Sequence, residues 1–156
     1  MALLRERIVS QLGIDDAFAF VADFANAARW DPGVASSVRL DEGPVRVGSR
    51  YRLGVRMGGR VTPMEYEITQ FDPPSRVVLT GRGSGVTAVD AISFQATPGG
   101  TQVDYLADIR LGGAMRLVAP FAGGVFRRIA ENARSGMQRA LDELAGAGAR
   151  GATPAG

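Results

Sequence analysis

The stretch Arg50-Tyr51-Arg52-Leu53-Gly54-Val55-Arg56-Met57-Gly58-Gly59-Arg60-Val61-Thr62-Pro63-Met64-Glu65-Tyr66-Glu67-Ile68 decides the fold. Apolar and polar residues alternate on either side of a Gly-Gly pair, the pattern of two strands joined by a two-residue hairpin turn. Setting Met57 opposite Arg60 places Tyr51 against Tyr66 and Leu53 against Met64 on one face. On the other face Arg52 meets Glu65 and Arg50 meets Glu67, opposite charges directly across the pair. A single register accounts for both faces.

The alternation continues outward through Val77 and Leu79, then Ile92, Phe94 and Ala96, then Val103, Tyr105, Ala107 and Ile109. Between these runs lie Asp72-Pro73-Pro74-Ser75, Gly83-Ser84-Gly85 and Pro98-Gly99-Gly100, all turn chemistry. A turn at Ser84-Gly85 sets Leu79 opposite Asp90 and Val77 opposite Ile92. A turn at Gly99-Gly100 sets Phe94 opposite Tyr105 and Ile92 opposite Ala107. Together these registers predict one curved antiparallel sheet with a single apolar face. Upstream, residues 3–12 read as a first strand with Ile8 and Val9 its buried residues. Its faces stay unassigned, because Arg5 and Arg7 alternate with Glu6. Asp15 is the expected N-cap of a short helix carrying Phe18, Val21 and Ala22. A second short helix over 25–29 ends at the turn Trp30-Asp31-Pro32-Gly33, and a strand follows near 35–40.

After Gly112-Gly113 the period changes from two to helical. Phe121, Val125, Ile129, Ala133, Met137, Leu141 and Leu144 form the expected apolar stripe of a helix over 121–145, with Pro120 at its entry. At helical rise this spans roughly 37 Å, enough to cross the whole sheet. Residues 1–145 therefore read as one domain, and the Gly/Ala-rich 146–156 as a disordered tail. A curved sheet closed by one helix leaves space between them, which points to a ligand.

The chain has no Cys, no His and no Lys; all 18 basic residues are arginine. That excludes Cys–His nucleophile pairs, Schiff-base lysines, and zinc or haem sites built on His or Cys. Proton chemistry is left to Asp, Glu and Tyr. No metal and no cofactor is expected. The net charge of +2, with Glu65 and Glu67 answering arginines of the Arg50, Arg52, Arg56 and Arg60 stripe, argues against a nucleic-acid partner. No signal-peptide pattern opens the chain and no long apolar run follows, so a cytoplasmic location without stable membrane insertion is expected.

Ile14-Asp15-Asp16-Ala17-Phe18-Ala19-Phe20-Val21-Ala22-Asp23, then Trp30-Asp31-Pro32, Gly99-Gly100-Thr101 and the long final helix resemble the START/Bet v 1-like superfamily. Within it, the chain is most similar to the small bacterial polyketide cyclase/dehydrase and lipid-transport branch, from the first strand to about residue 145. The resemblance implies an α+β helix-grip fold. In that fold a seven-stranded antiparallel sheet wraps around the C-terminal helix, two short helices follow strand 1, and a hydrophobic pocket is enclosed. Relatives bind lipids, sterols, plant hormones, quinones or aromatic polyketides, and some catalyse cyclisation or hydrolysis. Such cyclases are understood to use pocket Arg, Tyr, Ser or His. This chain has no His, and its strand arginines after Gly48 fall on the outer face or at turns.

Asp90 is the sharpest candidate, a carboxylate on the apolar face between Leu79 and Ile92. It would orient a ligand hydroxyl or serve as a general base; the plainer alternative is a wet pocket or an arginine partner. Tyr51, Tyr66 and Tyr105 offer hydroxyls on the same face. Trp30 would form the pocket mouth or simply anchor its loop. Leu53, Met64, Leu79, Ile92 and Phe94 from the strands, with Phe121, Val125 and Ile129 from the helix, complete the expected lining. The expected partner is a hydrophobic, lipid-like or aromatic small molecule, bound by a monomer or homodimer. The alternative is a cyclase/dehydrase-type enzyme using Asp90 and the tyrosines. A protein-interaction role would need a large exposed apolar patch outside the pocket.

Overall fold

The computed structural model describes residues 2–151, and side chains for residues 2–148. Strand β1 (Ala2–Ser10) leads into helix α1 (Ile14–Ala22), a 3₁₀ turn (Phe24–Asn26) and the short helix α2 (Ala27–Trp30). Six strands follow: β2 (Val34–Arg39), β3 (Arg50–Met57), β4 (Arg60–Asp72), β5 (Arg76–Gly83), β6 (Val86–Thr97) and β7 (Gly100–Leu111). Two further 3₁₀ turns, Gly113–Leu117 and Ala119–Phe121, precede helix α3 (Gly123–Gly151). The strands form one antiparallel sheet in the order β1-β7-β6-β5-β4-β3-β2. The fold is the α+β helix-grip, with α3 held against the concave face. Among the described residues no helix is long and apolar enough to cross a membrane.

The β3–β4 hairpin has the register read from sequence, with Tyr51 opposite Tyr66 and Leu53 opposite Met64. Gly58 and Gly59 both take positive φ (57° and 81°), as the tight hairpin turn requires. Arg52 and Glu65 pair at 3.5 Å between exposed groups, so they mark register more than they stabilise it. Bulges at Ile68/Gln70 in β4 and Val34/Ser36 in β2 interrupt the ladder and bend those strands.

Val9, expected to be buried with Ile8, is 56% exposed, because successive strand residues point to opposite faces; three expectations about the elements themselves are also corrected. The β6–β7 turn is Pro98-Gly99, not Gly99-Gly100: Thr97 faces Gly100, Phe94 faces Val103, and Ile92 faces Tyr105. Proline's fixed φ suits the first central position of a turn. A two-residue slip keeps every side chain on its face, so alternation alone cannot detect it. At α1 the N-cap is Gly13, without a side-chain cap; Asp15 and Asp16 lie in the first turn, where the helix dipole favours acids. The third correction concerns α3, which starts at Gly123 and runs past residue 145 to Gly151, through glycines at 146 and 148 that read from sequence as helix breakers. The rest of the expected tail, 152–156, lies outside the described residues.

The buried stripe of α3 is Phe126, Ala130, Met137, Ala140 and Leu141, with Ile129, Ala133 and Leu144 at its margin. A strict every-fourth-residue row drifts about 40° per step around a helix. Counting back from Met137, Val125 is therefore about 120° off the buried face, whereas Phe126 is about 20° off. Val125 and Phe121 are 53% and 84% exposed. With Leu117 and Val118 they form an exposed apolar run on the approach to α3.

At Gly136 the helix packs directly on the backbone of the turn after α2. A Cβ there would collide with the Trp30 carbonyl oxygen and lie 2.8 Å from Pro32 Cδ. Gly136→Ala gains about 1 kcal/mol of helix propensity. The collision with backbone outweighs it, so we expect a net loss of about 1–3 kcal/mol by chemical denaturation. Equal or higher stability in the variant would show that helix and turn are not in contact.

Candidate functional site

Between the sheet and α3 lies a cavity of about 120 Å³. Strand β1 contributes Leu4, Glu6 and Ile8, while α2 and the turn after it contribute Trp30 and Asp31. Leu53 and Met64 line one side, and Ala88, Asp90, Tyr105 and Ala107 the other. Helix α3 closes it with Phe126, Ile129, Ala130, Ala133 and Met137. Space remains because several facing positions carry alanine, whose methyl groups cannot span the gap left by the curled sheet. Tyr66 is held by its cross-strand partner: a Cβ on Gly81 would come within 2.5 Å of the Tyr66 ring.

The polar groups are few and strongly perturbed. Asp90 is 5% exposed. Burial pushes its carboxyl up to about 7; the Tyr105 hydroxyl works against that shift, and the negative charge of Asp31 adds to it. Burial likewise pushes the Asp31 carboxyl up to about 6, opposed by the Gly33 N–H, which donates to Oδ1 at 2.8 Å, and by the charge of Arg56. The Tyr66 and Tyr105 hydroxyls are held well above the ordinary phenol range by burial first and the Asp90 charge second. Tyr105 is half-buried as a residue, with its hydroxyl end in the interior. The Trp30 Nε1–H is buried without an acceptor among the described residues. Where the cavity reaches the surface, Arg134 Nε pairs with Glu6 Oε2 at 3.5 Å.

Of the residues expected to line the site, Trp30, Leu53, Met64, Tyr66, Asp90, Tyr105 and Ile129 do so. Tyr51 does not: it is fully enclosed, its hydroxyl meets no hydrogen-bond geometry among the described residues, and its ring packs 6.3 Å from Phe24. Leu79 and Ile92 are fully buried core outside the lining, and Phe94 packs against Phe18 at 5.1 Å. Phe121 and Val125 are excluded by the phase of α3. The sequence reading missed Glu6, Phe24, Asp31, Phe126 and Arg134. Glu6 was accessible through Ile8, because Leu4, Glu6 and Ile8 alternate onto one face. Asp31 reads from sequence as a turn residue, which gives no sign that it faces the cavity.

The corrected β6–β7 register matters here. It puts Ala107 opposite Asp90 and brings Tyr105 to the diagonal position beside it. The result is a largely apolar chamber with two proton-exchanging carboxyls and two phenols in its wall.

Asp90 also has a consequence for stability. From pH 4 to pH 7 the folded state holds a proton on Asp90 that the unfolded chain has released. Stability from this group is complete at low pH and is lost as pH rises through about 7. The full difference is on the order of 4 kcal/mol. Asp90→Asn should flatten the fall in stability between pH 4 and pH 7, and should make the variant more stable than the parent at pH 8. Parallel pH profiles for the two proteins in denaturant titrations would contradict the buried ionisation.

A family model described as "Polyketide cyclase / dehydrase and lipid transport" matches residues 1–147. No curated protein matches the chain in sequence. Among solved structures, the Zhui aromatase/cyclase from Streptomyces sp. R1128 is similar with a TM-score of 0.73 at 16% identity, covering 99% of this chain and 98% of that one. A START superfamily protein from Mycobacterium smegmatis gives 0.65 at 14% identity, covering 91% and 98%. Ara h 8.0201 gives 0.66 at 15% identity, covering 94% and 98%. At these identities the likeness is one of fold.

Proposed function

Because the chain belongs to the polyketide cyclase/dehydrase and lipid transport family, we propose that it binds a hydrophobic small molecule between its sheet and α3. The observation that carries this reading is the cavity itself: about 120 Å³, mostly apolar, with Asp90, Tyr105 and Trp30 as polar points in its wall. Ligand sites are commonly built this way, apolar for affinity with a few placed polar groups for orientation. An engineered apolar cavity of about 150 Å³ takes up benzene, so this volume suits an aromatic ring or a short alkyl segment. The exit past Glu6 and Arg134 leaves room for a longer guest to extend.

A second reading is favoured by the near-neutral Asp90 carboxyl beside Tyr105. A general base of that strength can take a proton from an activated methylene, while a neighbouring phenol donates to the forming enolate oxygen. This is the chemistry of arene-forming cyclisation and dehydration, and the aromatase/cyclase neighbour shares the fold. Turnover of a reactive polyketone that disappears in Asp90→Asn would establish it; wild-type turnover in that variant would remove Asp90 from the mechanism.

The binding reading is tested by native mass spectrometry of protein purified from its own host, together with displacement of an apolar fluorescent dye. Ala88→Leu fills the cavity from β6 without adding a polar group. We expect it to weaken dye binding by about tenfold or more, about 1.4 kcal/mol, while thermal stability holds or rises. Unchanged binding in Ala88→Leu would place the dye site elsewhere.

A further inference from the structure

We infer that the polar end of the guest is a cationic amine, held by Asp90 and Asp31 within a wall of aromatic rings. The ligand class is thus a small aryl- or alkylammonium compound. This rests on the cavity being the ligand site, and it specifies the chemistry that the site selects.

Charge carries the argument. The chain as a whole has a net charge of +2, yet the cavity wall holds three carboxylates, Glu6, Asp31 and Asp90, against one guanidinium. That guanidinium, Arg134, is occupied by Glu6 at the mouth. Further in, Asp31 has a backbone N–H and the charge of Arg56, whose Nη1 donates instead to the Pro32 carbonyl at 2.6 Å, but no ion pair among the described residues. Asp90, at 5% exposure, has none either. A buried carboxylate without a cation is costly, and a cation supplied by the guest offsets that cost. An anionic guest such as a fatty acid would instead bring a like charge to two carboxylates.

The rings supply a second, independent observation. Trp30 and Tyr105 pack edge to face at 5.9 Å between centroids, and Phe24 lies 5.4 Å from Tyr66 and 6.0 Å from Trp30. All four line the same cavity as the carboxylates. Aromatic walls combined with acidic groups stabilise an ammonium through ring quadrupoles and direct charge pairing, and desolvation strengthens both. A neutral alcohol would gain a hydrogen bond here but neither of these contributions.

The test compares three guests of matched shape, phenylbutylamine, phenylbutanol and phenylbutyrate, by isothermal titration calorimetry with the full chain at pH 8. The amine is expected to bind about tenfold or more tightly than the alcohol, with the carboxylate weakest. Asp90→Asn should collapse the amine-to-alcohol ratio toward one; Asp31→Asn should reduce it and serves as the second arm should Asp90→Asn fail to fold. An alcohol that binds as well as the amine, or a preference that survives both substitutions, overturns the amine assignment and leaves the cavity reading standing. If none of the three binds and Ala88→Leu leaves dye binding unchanged, the cavity reading falls and the amine assignment with it.

Discussion

At Gly136 the backbone of α3 rests directly on the Trp30 carbonyl and Pro32, a contact that leaves no room for a side chain and limits how α3 can close over the concave face. Any side chain at that position would lift the helix from the turn. The same turn carries Trp30 and Asp31 into the cavity, so one contact bears on both the depth of the chamber and the placement of two of its polar groups. Further along the helix, Met137, Ala140 and Leu141 bury against the core. In the N-terminal half Phe126, Ile129, Ala130 and Ala133 reach the cavity, and that is where the space remains.

The concave face is accordingly divided in two. At one end Phe18 of α1 packs against Phe71 at 5.4 Å and Phe94 at 5.1 Å, filling the sheet's curl with rings. Leu79 and Ile92 belong to the dry core, with nothing left to bind. At the other end Ala88, Ala107, Ala130 and Ala133 face one another across the gap. A single apolar face thus serves as core in one half and as cavity wall in the other. Which half a residue joins depends on what the helices bring opposite it, and strand alternation carries no information about that.

This explains what was legible in the sequence. The Gly58-Gly59 hairpin could be read because charge and hydrophobicity on opposite faces demanded the same register. The β6–β7 hairpin lacked that cross-check: its slip preserved the apolar face, and only the turn preference of Pro98 distinguished the alternatives. In α3 the four-residue spacing from Phe121 looked helical, but the true stripe alternates three- and four-residue steps to keep Phe126, Ala130 and Met137 in phase. Asp90 was recognisable as a lone acid in an apolar run. Asp31 was hidden by its turn role, and its Oδ1 does accept from Gly33 as a turn residue should. Its other role appears only once the α3 backbone closes over it.

The buried carboxyls also constrain what kind of molecule this can be. Burial shifts each toward its neutral form, Asp90 more than Asp31, so ionising either works against the fold. A protein selected for stability alone would replace Asp90 with a residue like its neighbours Ala88 and Ile92, which the sheet accommodates at equivalent positions on the same face. Retaining an acid there costs folding free energy at neutral pH, and the Trp30 Nε1–H without an acceptor adds to that cost. A donor lacking an acceptor and two acids lacking an ion pair, among the described residues, thus lie in the wall of one cavity. A guest carrying complementary groups would relieve them together, and on the proposed reading that relief is part of its selectivity.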